Sequence, residues 1–231
     1  MARLGCRDMA AYLARLSRDD GARRACDRLL TVSISRFFRD RALWRVLADE
    51  ILPGLMRSAR EDLRVWVAGC ASGEEAYSLR IVREELRAAY PAPAMAILAT
   101  DLNPHCLRRA RTGAYAPSSL KELPGELKSR YFSRRAGENR FSVNPFLKKG
   151  IIWKHHDFLD GLPGPRFDLI FLRNSLLTYY RNDICQAVLK NAITSLTDEG
   201  ILIIGTLEKL PWESEDFLLK TAFPYVFKKA L

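Results

Sequence analysis

LRVWVAGCASGEEAYS, residues 63–78, changes its hydrophobic period in the middle. Leu63 to Ala68 is a short β-rich run. Gly69 to Gly73 is a turn, and the residues from Glu74 to about Ala89 carry the pattern of a helix. The same alternation continues downstream. Met95 to Thr100 reads as a second strand ending at Asp101, and Cys106 to Arg111 as a helix. Phe167 to Leu172 is an apolar strand, 183–196 a helix, Ile201 to Thr206 a strand, and Tyr225 to Lys229 a last strand. Strands alternating with helices predict an α/β fold, a mainly parallel sheet covered on both faces.

Between Leu127 and Asp157 the alternation breaks. Asn139 to Asn144 and Ile151 to His156 read as strands of a small antiparallel unit inserted in the sheet domain, although the second run also suits a strand of the main sheet. Upstream, residues 1–30 read as one or two short helices. Leu43, Leu47, Ile51 and Leu55 fall on one helical face, with Pro53 expected to kink or divide it. The expected organisation is a helical segment and linker over 1–60, then a domain over 61–231 with its insertion at about 128–157.

The 231 residues suit one large domain with an attachment at roughly 150 residues per domain. Hydrophobic residues make up 48% and charged residues 28%, a balance that excludes a disordered chain. The longest apolar runs, such as Ala94 to Ala99, fall far short of the ~20 residues of a membrane-spanning helix. With no secretory signal in 1–28, a cytoplasmic protein without membrane insertion is expected. Cys6, Cys26, Cys70, Cys106 and Cys185 show no CxxC spacing, and His155 and His156 are adjacent, pointing to opposite faces if in a strand. No metal is expected. The net charge of +10 permits an anionic partner without choosing one. No motif for flipped-base chemistry and no aromatic-rich basic strip is present, so nucleic acid is not expected.

In an open α/β sheet, ligands bind outside the carboxyl ends of the strands. Three such ends collect polar or glycine residues here: Gly69 and Gly73, then Asp101, then Arg173-Asn174. The glycines let a ligand approach the backbone, and a strand-end acid can accept hydrogen bonds from ribose hydroxyls. The chain lacks GxGxxG and GxxxxGK[ST], so it has neither a dinucleotide fingerprint nor a nucleoside-triphosphate cradle. Glu74 and Glu75 open the helix and would repel a phosphate there. A ligand with a ribose, no phosphate and a positive charge fits best, as S-adenosylmethionine does.

SRFFRD (Ser35 to Asp40), GCASGEEAYS (Gly69 to Ser78), ATDLN (Ala99 to Asn103), RARTGAY (Arg109 to Tyr115), FDLIFLRN (Phe167 to Asn174) and GTLE (Gly205 to Glu208) occur in this order over roughly residues 30–210. Together they resemble the CheR-type methyltransferases, which transfer methyl from S-adenosylmethionine to glutamate side chains of chemotaxis receptors. The resemblance implies a class I S-adenosylmethionine-dependent methyltransferase, with a Rossmann-like, mainly parallel seven-stranded sheet, an inserted antiparallel β-subdomain and a helical N-terminus. It implies S-adenosylmethionine as cofactor, S-adenosylhomocysteine as product, and the cytoplasmic part of a chemoreceptor or another signalling protein as partner of a monomer. By the same resemblance Ser33, Ser35 and Arg39 contact the cofactor ahead of the sheet, with Gly69 in the glycine turn. Glu75 meets the methionine part or nearby cofactor atoms, and Asp101 the ribose or adenine side. Asp157 and Phe158 lie beside the adenine, and Arg173 and Asn174 beneath the cofactor. Arg39 is assigned to positioning the incoming carboxylate.

Two departures stand out. The family commonly has Tyr five residues after that Arg; here Thr178 occupies the place, and Tyr179, one residue later, is expected to take the role. The N-terminus is short for the family. A small molecule or another protein as acceptor, or a non-catalytic S-adenosylmethionine-binding module, are the competing readings.

Overall fold

The computed structural model describes residues 6–19, 21–22, 35–59, 61–134, 137–164, 166–212 and 218–230. The chain divides into two compact units, Met1–Ile34 and Ser35–Leu231. In the first, helix α1 (Met9–Arg18) is capped by Asp8, whose side chain accepts from the Ala11 amide at 2.7 Å.

The division falls at Ile34, ahead of the expected break at residue 60. Helix α2 (Arg41–Val46), a π turn over Leu47–Ile51 and helix α3 (Leu52–Ser58) belong to the second unit. Leu43, Trp44, Leu47 and Leu52 are buried in the same core as the sheet, which is why this segment is no linker. Pro53 stands in the first turn of α3, just past the π turn. A proline ring displaces the carbonyl four residues before it, and the wider turn takes up that misfit.

Among the described residues, the main sheet has seven strands: β1 (Leu63–Ala68), β2 (Met95–Asp101), β6 (Ile151–His155), β7 (Phe167–Leu172), β8 (Leu196–Ile204), β9 (Leu218–Lys220) and β10 (Val226–Lys229), in the order β6-β2-β1-β7-β8-β10-β9. β6, β2, β1, β7 and β8 run parallel, and β10 is antiparallel to both its neighbours. Helices α4 (Glu74–Glu85), α5 (Pro104–Thr112), α6 (Gly125–Tyr131), α7 (Leu176–Tyr179) and α8 (Asn182–Thr194) complete the unit.

Alternation along β1 separates two cores. Val65 and Val67 face one with Tyr77, Ile97, Leu169, Phe171 and Ile203; Trp66 and Ala68 face the other with Ile170, Leu172, Leu189, Leu202 and Ile204. Each fully buried aliphatic side chain contributes about 1.5–3 kcal/mol.

The small sheet is β3 (Ala114–Tyr115), β5 (Phe141–Val143) and β4 (Phe132–Ser133), all antiparallel. The insertion therefore begins earlier than residue 128, and Ile151–His155 leaves it: this run pairs parallel with β2, Ile97 opposite Ile151. From β1 the chain moves outward to β2 and β6, then returns to β7 on the other side of β1. That reversal opens a crevice over the carboxyl ends of β1 and β7.

Candidate active site

At the end of β1 the amides of Gly69 and Cys70 both donate to the Thr100 carbonyl, at 2.9 and 2.8 Å. Gly69 has φ +73°, and a Cβ built there would lie 2.6 Å from the Ser175 Cβ. Gly73 has φ +89°, and its added Cβ would lie 2.7 Å from the Trp153 ring. Only glycine fits either place, so the turn lies close against the β7 loop on one side and β6 on the other. The Phe158 ring stands 3.7 Å from the same built Cβ of Gly69 and packs edge-on against Tyr180, centroids 5.9 Å apart. Asp157 caps the short 3-10 turn that presents Phe158, accepting from the Leu159 amide at 3.0 Å.

Asp101 ends β2. One carboxylate oxygen accepts from the Ala71 amide and the other from the Asn103 amide, both at 2.8 Å. Each oxygen keeps lone-pair capacity for a further donor. Burial pushes the carboxyl up from its ordinary range, and the two amide donors pull it back.

Arg173, 2% exposed, joins three segments. It is paired with Glu75 of α4 and, at 2.5 Å, with Asp40 Oδ2. Burial raises the Glu75 carboxyl and the guanidinium of Arg173 opposes it. Asp40 and Phe38 both have left-handed backbones, φ +64° and +55°. The limb carrying them is fixed by the Phe37 amide on the Ser119 carbonyl at 3.0 Å and the Phe38 amide on Ser78 Oγ at 3.1 Å. Arg39 is exposed on this limb. It makes no hydrogen bond or ion pair through its guanidinium among the described residues, yet lies near enough to favour ionised Glu75.

Asn174, φ +49°, is held by its amide on Glu208 Oε2 at 2.9 Å; the Gly205 amide meets the same oxygen at 2.7 Å. Tyr179 is 56% exposed. Glu74 points away from Glu75, since neighbouring helical side chains diverge. It is 2% exposed, with Ser119 Oγ at 3.5 Å, Ser35 and Arg109 nearby, and burial pushes its carboxyl up to about 7.

Of the residues expected at the site, Gly69, Phe158 and Asn174 converge on the mouth of the crevice through Ser175 and Glu208, with Asp157 presenting Phe158. Asp101 stands at the tip of β2, and Arg173 draws in Glu75. Arg39 projects from the limb, and Ser35 stands beside Glu74. Ser33 lies outside the described residues. Sequence reasoning left Asp40 and Glu208 without roles, although SRFFRD and GTLE contain them. Among the described residues no group of three or more His, Cys, Asp or Glu is placed to hold a metal ion, and no helix is long and apolar enough to cross a membrane.

The donor set suits S-adenosylmethionine. Asp101 has lone pairs that could accept from ribose hydroxyls, Phe158 could wall a planar ring, and the acids around Arg173 could hold a positive group. The model for the CheR methyltransferase, SAM binding domain, matches residues 33–225. A chemotaxis protein methyltransferase of Listeria innocua is 37% identical over 182 residues, 79% of this chain and 67% of that protein. Chemotaxis protein methyltransferase 2 of Pseudomonas aeruginosa is 30% identical over 210 residues, covering 89% and 73%. An uncharacterized 104.1 kDa protein of Rhodobacter capsulatus is 30% identical over 226 residues, 95% of this chain but 23% of that protein. The chain thus spans less than a quarter of the Rhodobacter relative and about two thirds of the Listeria one.

Proposed function

Because the chain belongs to the CheR methyltransferase family, whose S-adenosylmethionine-binding domain it matches over most of its length, we propose that it methylates side-chain carboxylates of a signalling protein. Glutamates in the cytoplasmic part of a chemoreceptor are the acceptor class that best suits this reading, since relatives are named chemotaxis protein methyltransferases.

The observation that carries it is the division of labour between two arginines. Arg173 is consumed by Glu75 and Asp40, whereas Arg39 stays exposed beside them with no ion pair among the described residues, a cation that could receive an anionic acceptor. A guanidinium can hold a carboxylate by two parallel hydrogen bonds. S-adenosylmethionine supplies a methyl on a sulfonium, whose carbon–sulfur bond breaks as the acceptor oxygen's lone pair forms the ester bond, leaving the thioether. A carboxylate with pKa about 4.3 is ionised at neutral pH and needs no general base. The residues' task is alignment, which contributes several kcal/mol. Arg39 orients the acceptor; pairing too tightly would favour the ground state, where the carboxylate charge is greatest. Tyr179, exposed on α7, would offer a hydroxyl or a ring face to the reacting groups.

The test mixes the protein with methyl-labelled S-adenosylmethionine and soluble and membrane fractions of its source cells. Base-labile label on a membrane protein is the expected result. Base-stable label, or label only in small molecules, rejects the glutamate acceptor.

A further inference from the structure

We propose that Asp40 is a cofactor-binding residue, its carboxylate acting with Glu75 to hold the ammonium end of S-adenosylmethionine against Arg173. The inference rests on the methyltransferase reading and adds to it a second acid at the amino-acid end of the ligand.

Asp40 immediately precedes α2, where aspartate is among the favoured caps. It makes no side-chain cap bond there. Its side chain instead reaches the sheet and meets Arg173 at 2.5 Å. It does so from a left-handed backbone, φ +64°, a region few non-glycine residues occupy. Helix capping therefore does not account for this residue.

Charge does. One guanidinium is the direct partner of two carboxylates, and Arg39 favours ionised Glu75 only from its exposed position, so the two acids hold more charge than their ion-pair partner offsets. Asp40 makes ionised Glu75 harder to sustain, as like charges do. Arg39 joins no ion pair among the described residues. A half-buried excess charge is stabilised by a ligand of opposite sign. Asp40 uses Oδ2 on Arg173 and is 30% exposed, and its other oxygen has no hydrogen-bond partner among the described residues, whereas Glu75 is 14% exposed. The ammonium of the cofactor supplies a cation with three N–H donors, enough to bridge both acids.

The test compares the wild type with Asp40→Asn by calorimetry against three probes: S-adenosylmethionine, S-adenosylhomocysteine and methylthioadenosine, which lacks the amino-acid end. Asparagine keeps the size, an acceptor for Arg173 and a tolerance of the left-handed region. The expected result is at least a tenfold loss of affinity for the first two probes and less than a twofold change for the third. Unchanged affinity for S-adenosylhomocysteine overturns the proposal. So does an equal loss for all three, which marks a role in the fold alone. Retained methylthioadenosine binding shows that the variant is folded. If the wild type binds neither S-adenosylmethionine nor S-adenosylhomocysteine, the methyltransferase reading itself fails and takes this inference with it.

Discussion

The Thr178 hydroxyl donates to Glu208 Oε1 at 2.5 Å, while the other oxygen of that carboxylate receives the amides of Asn174 and Gly205. One acid thus ties the ends of β7 and β8 to α7. Thr178 is committed to this knot, and Tyr179 beside it stays exposed. Thr178→Val and Glu208→Gln should each destabilise by up to about 1.5–3 kcal/mol, the range for hydrogen bonds to a charged group. Urea unfolding should show the pair to be non-additive, with coupling above about 0.5 kcal/mol. Additive losses would break the knot as a unit. Tyr179→Phe should leave stability within about 0.5 kcal/mol and lower methyl transfer.

Asp101 has two duties that separate by substitution. Asp101→Asn keeps an acceptor and should fold, yet weaken S-adenosylmethionine binding by a hundredfold or more. Asp101→Ala also strands the Ala71 and Asn103 amides and should cost a further 2–3 kcal/mol or so of stability. Micromolar binding retained by Asp101→Asn would remove the ribose role.

Glu74 makes stability fall with rising pH. Its folded pKa, about 7, lies above the ordinary 4.5, so the fold favours the neutral acid. That contribution is whole below pH 4.5 and is lost as pH rises to 7. The difference corresponds to about 3 kcal/mol. Glu74→Gln should therefore match or trail the wild type at pH 4.5 and exceed it increasingly up to pH 7, then hold a constant lead. Parallel unfolding curves across this window would refute it.

Gly69→Ala combines a positive φ with a contact 2.6 Å from the Ser175 Cβ. A loss of about 2 kcal/mol is expected, lowering Tm by roughly 4–8 °C in a domain of this size. Adding Ser175→Gly should recover part of it, the steric share, and leave the backbone share. Full recovery would show that the conformation itself is without strain.

If Arg39 orients the acceptor as proposed, Arg39→Ala should reduce methyl transfer at least tenfold while S-adenosylhomocysteine affinity changes by less than threefold. Equal losses in both would move Arg39 into the cofactor pocket.

Much of this was legible in the sequence. Residues 63–78 announce strand, turn and helix because the period changes between glycines with positive φ. Asp101 stands out as the acid closing an apolar run. Other features leave no local trace. Asp40 and Arg173 are far apart in sequence, and their pairing depends on the completed sheet. Glu74 and Glu75 look alike in sequence but point to different surroundings, one to Ser119 and one to Arg173. Helices α2 and α3 read as a linker because their apolar face shows periodicity but not its partner, the core beneath β1 and β2. The two-residue strands β3 and β4 are too short to have a period.

The placement of β6 beside β2 bears on the order of assembly. Everything from Leu102 to Gly150, the small sheet included, lies between two strands that are neighbours in register. Closing a loop of that length costs on the order of 3 kcal/mol in chain entropy before the pairing returns anything. Contacts of such separation slow folding. Trp153, which packs on Gly73, rides on β6. The wall that Trp153 gives the glycine turn is thus complete only once that edge strand is docked beside β2.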